Sequence, residues 1–214
     1  AADGSRRPDD REVLAARHSR VAVLLNNDIK LDVDCLDPLI EPLVQMPLVG
    51  QSPCFLTAPL CWLFDGQTYE GQKTAVRWRW GLVQATSLFR GHESAIDEPD
   101  LTASAGAAIA VDRQMFLELG GFDPLYLPGR IEDLDFCYRG YLAGWQARYV
   151  PSAVAYHRGA ATFRQTYSEM ATQQLALRNT LLFQWKNLRH PWHLLRHAAG
   201  LAVRLVGELT RAPA

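Results

Sequence analysis

Three acids fall within four positions of this chain, Glu132, Asp133 and Asp135, and a histidine, His157, follows one element later. Carboxylates at a helix start, beside a loop rich in proline and glycine, suit acid–base or metal chemistry when the next strand delivers a histidine. A further carboxylate, Asp28, ends the triplet Asn26-Asn27-Asp28, directly after the apolar run Val21 to Leu25. A carboxylate just past a buried strand suits a hard divalent cation, Mg²⁺ or Mn²⁺, usually held by one or two carboxylates plus substrate phosphates. Each group also has a plainer reading. Asn-Asn-Asp favours a turn by itself, acids in a first helical turn offset the macrodipole, and a lone histidine often serves packing. Asp133 and Asp135 lie about 200° apart round a helix, so the two do not face one site.

The elements that must position these groups are legible in part. Val21 to Leu25, an unbroken apolar run, reads as a strand buried on both faces of an α/β sheet. Ligands bind such sheets at the carboxyl ends of strands, which is where the Asn-Asn-Asp triplet sits. Asp34 to Val44 reads as a helix capped by Asp34 or Asp37, with Pro38 in its first turn. Val49 to Leu63 is apolar but broken by Pro53 and Pro59, a strand with a loop. Phe64 to Asp100 reads as an irregular, functional or mobile connection carrying Trp78, Trp80 and Phe89 among Lys73, Arg77 and Arg79. Thr102 to Val111 is a small-residue strand that something approaches closely, with Gly106 the barest position. Asp112 caps a helix that ends at Gly120. Glu132 to Ala143 forms the helix of the acidic triplet, with an apolar stripe of Leu134, Cys137, Tyr138, Tyr141 and Leu142. A strand from Trp145 stops at Pro151, and Ala153 to Tyr156 leads into His157. Two helices close the chain, about Thr166 to Leu188, capped by Thr166 or Ser168, and Trp192 to Leu209, with Pro191 between them.

The bulk composition narrows the class. The chain has 214 residues, 48% of them hydrophobic, and a formal net charge of −1. That length fits one domain with a real core, and the near-neutral balance speaks against a general nucleic-acid binder. Cys35, Cys54, Cys61 and Cys137 match neither a zinc motif nor a dense disulfide framework, so they read as reduced, buried thiols. No apolar run approaches the roughly 20 residues of a membrane span, and the start of the chain lacks a signal-peptide core. A cytoplasmic protein is expected.

The order of the pieces resembles the inverting family-2 glycosyltransferases of GT-A fold, especially bacterial rhamnosyltransferase-like members. Leu25-Asn26-Asn27-Asp28 stands where that family carries its Asp-x-Asp metal and nucleotide motif. Gly120-Gly121-Phe122-Asp123 matches its GGFD turn, and Glu132-Asp133-Leu134-Asp135 through Arg139 its acidic helix. Val150-Pro151 through Tyr156-His157 matches the strand that delivers a histidine, and Arg178-Asn179 with Lys186 falls on the following helix. The resemblance covers about residues 20–187. It implies that Asp28 and His157 hold Mg²⁺ or Mn²⁺ against the donor diphosphate and that Asn26 and Asn27 touch the nucleotide. It also implies that Asp133 is the general base, and that Asp123, Glu132 and Trp145 shape the acceptor side. The family opens with a nucleotide-binding half that residues 1–20 do not supply, so weak donor binding by this chain alone is expected.

The expected fold is therefore α/β, a partial GT-A (nucleotide-diphospho-sugar transferase, Rossmann-like) fold with C-terminal helices. It divides into a disordered or short helical stretch over residues 1–20, a catalytic and acceptor part over 21–165, and a helical extension over 166–214. The expected function is metal-dependent, inverting hexosyl or rhamnosyl transfer from a nucleotide-sugar to a glycan or lipid-linked hydroxyl in cell-surface polysaccharide synthesis. Peripheral contact of the C-terminal helices with the inner face of the cell membrane goes with it. Two other readings stand beside this one: a non-catalytic remnant that docks on a partner or membrane, and a metal-dependent hydrolase using Asp28, Asp133 and His157.

Overall fold

A computed structural model describes residues 19–87, 95–159 and 166–211. The short helix expected from Glu12 to Arg20 and the aromatic Phe89 fall mostly or wholly outside them. The main sheet has the order β1-β8-β3-β9-β2, formed by β1 (Val21–Leu25), β8 (Ala108–Asp112), β3 (Cys54–Leu63), β9 (Gln146–His157) and β2 (Ile29–Leu31). Its central pair, β3 and β9, is parallel, and the other pairs on this path are antiparallel. Two short strands join at its margins, β4 (Tyr69–Gly71) beside β3 and β7 (Asp100–Leu101) beside β9. A separate hairpin is made of β5 (Thr74–Arg79) and β6 (Leu82–Ser87).

Alternation along the strands divides the core into two layers. Cys54 and Ala110 face α1 (Leu36–Val44), where they meet Leu39 and Leu43. Phe55, Ile109 and Val111 face the other side, against α3 (Glu132–Leu142), with α2 (Arg113–Glu118) flanking it. Rings of Phe55, Phe116 and Phe122 surround Phe136, with centroids 5.1–5.5 Å from it. Gly140 is what lets α3 settle this low, because a Cβ there would lie 2.2 Å from the Phe55 ring.

Several expectations are corrected by the structure. β1 is not buried on both faces: among the described residues it pairs only with β8, and its side chains are half-buried. The helix from Leu36 is capped at Cys35 without a side-chain bond, so neither Asp34 nor Asp37 caps it. β9 runs on through Pro151, because its pairing with β3 jumps from Pro59↔Val150 to Leu60↔Val154. The residues between bulge out, so a proline without an N–H costs no ladder bond. On α3 the buried face holds Phe136 and Asp135, while Leu142 is exposed. The connection from Phe64 to Asp100 is not irregular throughout. It contains the β5–β6 hairpin, turned at Trp80 and Gly81, both with positive φ. The Asp112 cap holds, with its carboxylate accepting from the Gln114 and Met115 amides. All four cysteines are free and buried.

The last two helices are α4 (Glu169–Asn187), capped by Ser168, and α5 (Pro191–Arg211). α5 meets the hairpin through its polar side. Trp185 Nε1 donates to His197 Nε2, which leaves Nδ1–H of His197 to donate to the Gly81 carbonyl at 2.7 Å. Gly200 lies directly on Gly81, and the Arg196 guanidinium stacks over Trp78. Trp192, Leu195, Val203 and Val206 consequently face outward. No described helix is long and apolar enough to cross a membrane.

Candidate functional site

Where β1, β9 and β4 end on one margin of the sheet, the chain leaves an open cavity of about 790 Å³. Asn26, Asn27, Asp28, Glu132, Asp133 and His157 all line it. Groups from three separate stretches of sequence thus meet there.

The first cluster is a chain of three side chains. His157 Nε2 lies 3.1 Å from Asp28 Oδ1, and its Nδ1 makes a short bond to Glu70 Oε2. The pairing of Ile29 with His157 across β2 and β9 sets this contact, and the Arg158 amide donates to the Asp28 carbonyl. The imidazole is 9% exposed. Its bond to Glu70 raises the His157 pKa against the opposing effect of burial, and Asp28 adds to the rise. Glu70 was not singled out in the sequence. It sits on a three-residue strand inside the stretch read as irregular, and the only local sign was an acid between Tyr69 and Gly71.

The second cluster is built on α3. Asp133 Oδ2 accepts from the Ser104 hydroxyl at 2.7 Å, and Oδ1 accepts from the Leu134 amide at 2.8 Å. Ser104 is itself held, its amide donating to Thr74 Oγ1 and its carbonyl accepting from that same hydroxyl. Ser104 is a second residue that sequence reasoning missed, although the small-residue run containing it was visible. Gly106 gives Asp133 its room: a Cβ there would come within 3.2 Å of the Asp133 Cβ. Beside it, Glu132 turns a buried oxygen, Oε2, toward no partner among the described residues. Burial, and then the Asp133 charge, push the Glu132 pKa up to about 7. Neighbouring carboxylates in unlike surroundings are a common basis for dividing acid and base roles.

The loop into α3 is strained and pinned. Arg130 and Ile131 both hold φ of 75°, a left-handed conformation that β-branched residues rarely adopt. Asn179 on α4 donates from its one amide group to the carbonyls of Tyr126, Gly129 and Arg130 at 2.8–2.9 Å. Asp135, fully buried, points away from the cavity, as the spacing from Asp133 requires. It binds Arg139 Nε and Lys186 Nζ, each at 2.7 Å, and the Tyr126 hydroxyl at 2.9 Å. Two expected acceptor residues are not brought to the cavity. Asp123 caps the 3-10 turn Pro124–Tyr126 and bonds Lys186, which lowers its pKa. Trp145 packs on Phe55 at 6.0 Å between ring centroids.

The donor set suits a small divalent cation. Two adjacent ligands of an octahedral ion with bonds of about 2.1 Å lie about 3 Å apart, and Asp28 Oδ1 and His157 Nε2 are 3.1 Å apart. A Glu70 carboxylate accepting from Nδ1–H leaves the Nε2 lone pair free, the usual way a metal-binding histidine is oriented. Among the described residues no group of three such side chains is placed to hold an ion alone. Asp28 and His157 would hold it together with oxygens from a substrate or water.

Comparison with known proteins supplies relatives. No family model matches the chain. It is 29% identical over 153 residues to a putative polypeptide N-acetylgalactosaminyltransferase 10 of Drosophila melanogaster, covering 69% of this chain and 23% of that protein. It is 26% identical over 161 residues to the N-acetylglucosaminyl-diphospho-decaprenol L-rhamnosyltransferase of Mycobacterium tuberculosis, covering 70% of this chain and 50% of that one. These relatives are glycosyltransferases. The chain spans half or less of their length. Among solved structures, GalNAc-T7 with UDP, GalNAc and Mn²⁺ overlays with a TM-score of 0.49 at 23% identity, over 69% of this chain and 29% of that one.

Proposed function

We propose that this chain is the catalytic and acceptor part of an inverting, divalent-metal-dependent glycosyltransferase of the family-2, GT-A type. Its donor is a nucleotide-diphosphate sugar, and its acceptor is a hydroxyl on a glycan or lipid-linked saccharide of the cell envelope, met on the cytoplasmic side. The observation that carries this reading is that Asp133 and the Asp28–His157 pair, far apart in sequence, open on the same cavity.

In this mechanism Asp133, oriented by Ser104, accepts the proton of the acceptor hydroxyl. That oxygen forms a bond to the anomeric carbon from the face opposite the leaving group. The bond from that carbon to the diphosphate oxygen breaks, its electron pair leaves with the nucleoside diphosphate, and the configuration inverts. Asp28 and His157 would hold Mg²⁺ or Mn²⁺, and the ion would offset the charge of the departing diphosphate. Asn26 and Asn27 contact the nucleotide end, and Glu132, carrying a proton for part of the time near neutral pH, meets an acceptor hydroxyl. The outward face of α5, with Trp192 and Leu195 beside Arg189, rests on a lipid surface.

Calorimetric titration of UDP and dTDP, with their sugar derivatives, in the presence of Mn²⁺ tests the reading. Binding by the wild type that is lost in Asp28→Ala, and transfer that is lost in Asp133→Asn with binding intact, is the expected pair of results. Metal-independent binding that Asp28→Ala leaves unchanged overturns it.

A further inference from the structure

Alternate residues of one short stretch, Glu70, Gln72 and Thr74, line the carboxylate cavity, whereas Tyr69, Gly71 and Lys73 do not. Two of the three are engaged. Glu70 holds His157, and the Thr74 hydroxyl holds Ser104, the partner of Asp133. Lys73 turns the other way, its Nζ donating to the Ala95 and Glu98 carbonyls. Gln72 stands midway, two residues from Glu70 and two from Thr74, about 7 Å of extended chain at most from either.

Two observations at Gln72 point to a ligand. The residue is 9% exposed, and its carboxamide has no hydrogen-bond partner among the described residues. Neither polar atom of that carboxamide is sealed off from the surface. The backbone there is also left-handed, with φ of 86°. Its neighbours pin it in place, the Thr102 hydroxyl donating to the Gln72 carbonyl and the Lys73 amide to the Tyr69 hydroxyl. Glycine would take this conformation without strain, yet the chain keeps a glutamine, and strain of this kind gathers at ligand clamps. Ser87, the last residue of β6, adds a hydroxyl close by. It lines the same cavity, its Oγ would lie 2.9 Å from a Cβ at Gly71, and it too has no side-chain partner among the described residues.

We infer that Gln72, with Ser87, reads a hydroxyl of an uncharged sugar ring held between the Asp28–His157 pair and Asp133. An amide and a hydroxyl each side with both a donor and an acceptor, which matches another hydroxyl. Asp28, Glu70, Glu132 and Asp133 line the cavity against one guanidinium, that of Arg130, so an anionic group is disfavoured on this wall. No Phe, Tyr or Trp among the described residues lines the cavity for a nucleobase to stack on. That the ligand is a sugar rests on the transferase reading. The transferred ring and the acceptor ring share this chemistry, and in that reading both lie between the two clusters.

Saturation-transfer NMR titrations in Mg²⁺ test this on wild type, Gln72→Gly and Ser87→Ala. Two pairs of probes are compared: UDP-N-acetylgalactosamine with UDP, and methyl β-D-glucopyranoside with 2-methoxytetrahydropyran, a like ring without hydroxyls. Wild type should bind the hydroxylated member of at least one pair more tightly. Gln72→Gly should weaken that binding about 3–10-fold, the range for one hydrogen bond, and Ser87→Ala should act in the same direction. A loss confined to the UDP-sugar assigns Gln72 to the transferred ring, and a loss confined to the glycoside assigns it to the acceptor ring. Because glycine relieves the backbone strain, Gln72→Gly should unfold at a temperature no lower than wild type. Lost binding with a clearly lower melting temperature makes Gln72 a structural residue and overturns the inference. Unchanged affinity in both variants, or no preference for the hydroxylated probes in wild type, overturns it too. Asp28→Ala keeps the two proposals apart. If that variant binds UDP as wild type does, the transferase reading fails whatever Gln72→Gly shows, and if it loses UDP while Gln72→Gly binds sugar normally, only this inference fails.

Discussion

Gly106 leaves the space that Asp133 fills. A Cβ at Gly106 would stand 3.2 Å from the Asp133 Cβ, tighter than ordinary packing, and 3.4 Å from its Oδ2. The bare glycine on the way into β8 is therefore a condition for where the proposed base sits. Gly106→Ala should push Asp133 away from Ser104 by a few tenths of an ångström. The backbone there is not left-handed, so the fold should be kept. Because catalytic geometry is unforgiving, a fall of about tenfold in transfer rate is expected, with the melting temperature nearly unchanged. Rates and thermal unfolding measured side by side check this, and an unaltered rate would show that Asp133 has slack.

Glu132 makes the stability of the protein sensitive to pH in a defined direction. Its pKa rises from 4.5 to about 7 on folding, first because of burial and then because of Asp133. A raised acid prefers its proton in the folded state. The stability it confers is thus complete below about pH 4.5, declines as pH rises, and is gone once the folded group ionises above about 7. The difference between wild type and Glu132→Gln in urea unfolding should follow that curve, largest in favour of wild type at pH 4.5 and smallest at pH 8. A difference that is flat with pH would mean Glu132 is solvated like an ordinary surface acid.

Asp135 and Lys186 show a different use of an acid in the same helical turn. Asp135 is fully buried and binds three donors, two of them cationic. Lys186→Met removes one partner and leaves a buried charge short of compensation, for which a cost of about 2–4 kcal/mol is expected. Asp135→Asn should cost a similar amount. The double variant should cost clearly less than the sum, because the second change removes what the first left unpaired. Chemical denaturation of the three variants measures this, and strict additivity would contradict the network.

Asn179 is the clasp on the strained turn before α3. Its amide holds three carbonyls, two of them from Gly129 and the left-handed Arg130. Asn179→Asp has the same shape, but its ionised form is an acceptor facing acceptors. At neutral pH it should therefore be less stable than Asn179→Ala, which itself should lose about 1–3 kcal/mol. The reverse order in thermal unfolding would mean that the loop is held from elsewhere.

How far the sequence revealed all this depends on the range of the forces involved. Asp112 capping α2, Ser168 capping α4 and Gly120 ending α2 are local, settled within a few residues, and were legible. So was the opposition of Asp133 and Asp135, which follows from helical pitch alone. The β5–β6 hairpin was not, because its turn is Trp80-Gly81 instead of an Asn-Gly or Asp-Gly pair, and Trp80 takes its positive φ where the Arg204 guanidinium meets its carbonyl. Trp145 was placed on the acceptor side by the resemblance, and its packing was not legible because its partner, Phe55, lies ninety residues earlier. The helix α5 was visible, but that it docks by His197 and Gly200 depends on Gly81 and Trp185, which no periodicity encodes. Glu70 was the largest omission for the site, since only the pairing of β3 with both β4 and β9 brings it to His157.

That residue gives the most discriminating test of the proposed cation site. His157 is bonded on both nitrogens, to Asp28 through Nε2 and to Glu70 through Nδ1. Only a proton on Nδ1, donated to Glu70, leaves Nε2 able to bind an ion. A carboxylate at position 70 enforces that tautomer, whereas an amide can also donate to Nδ1 and move the proton to Nε2. Glu70→Gln should therefore weaken Mn²⁺ binding by about 10–100-fold, the usual effect of losing a ligand's orienting partner, with the fold intact by circular dichroism. Asp28→Ala and His157→Ala, which remove the proposed ligands themselves, should bind no measurable Mn²⁺ over the same range. The signal of free Mn²⁺ in electron paramagnetic resonance, followed during titration with UDP present, reads all four proteins directly. If Glu70→Gln binds as tightly as wild type while Asp28→Ala fails, the ion is held without the imidazole, and His157 is a structural partner of Glu70 alone.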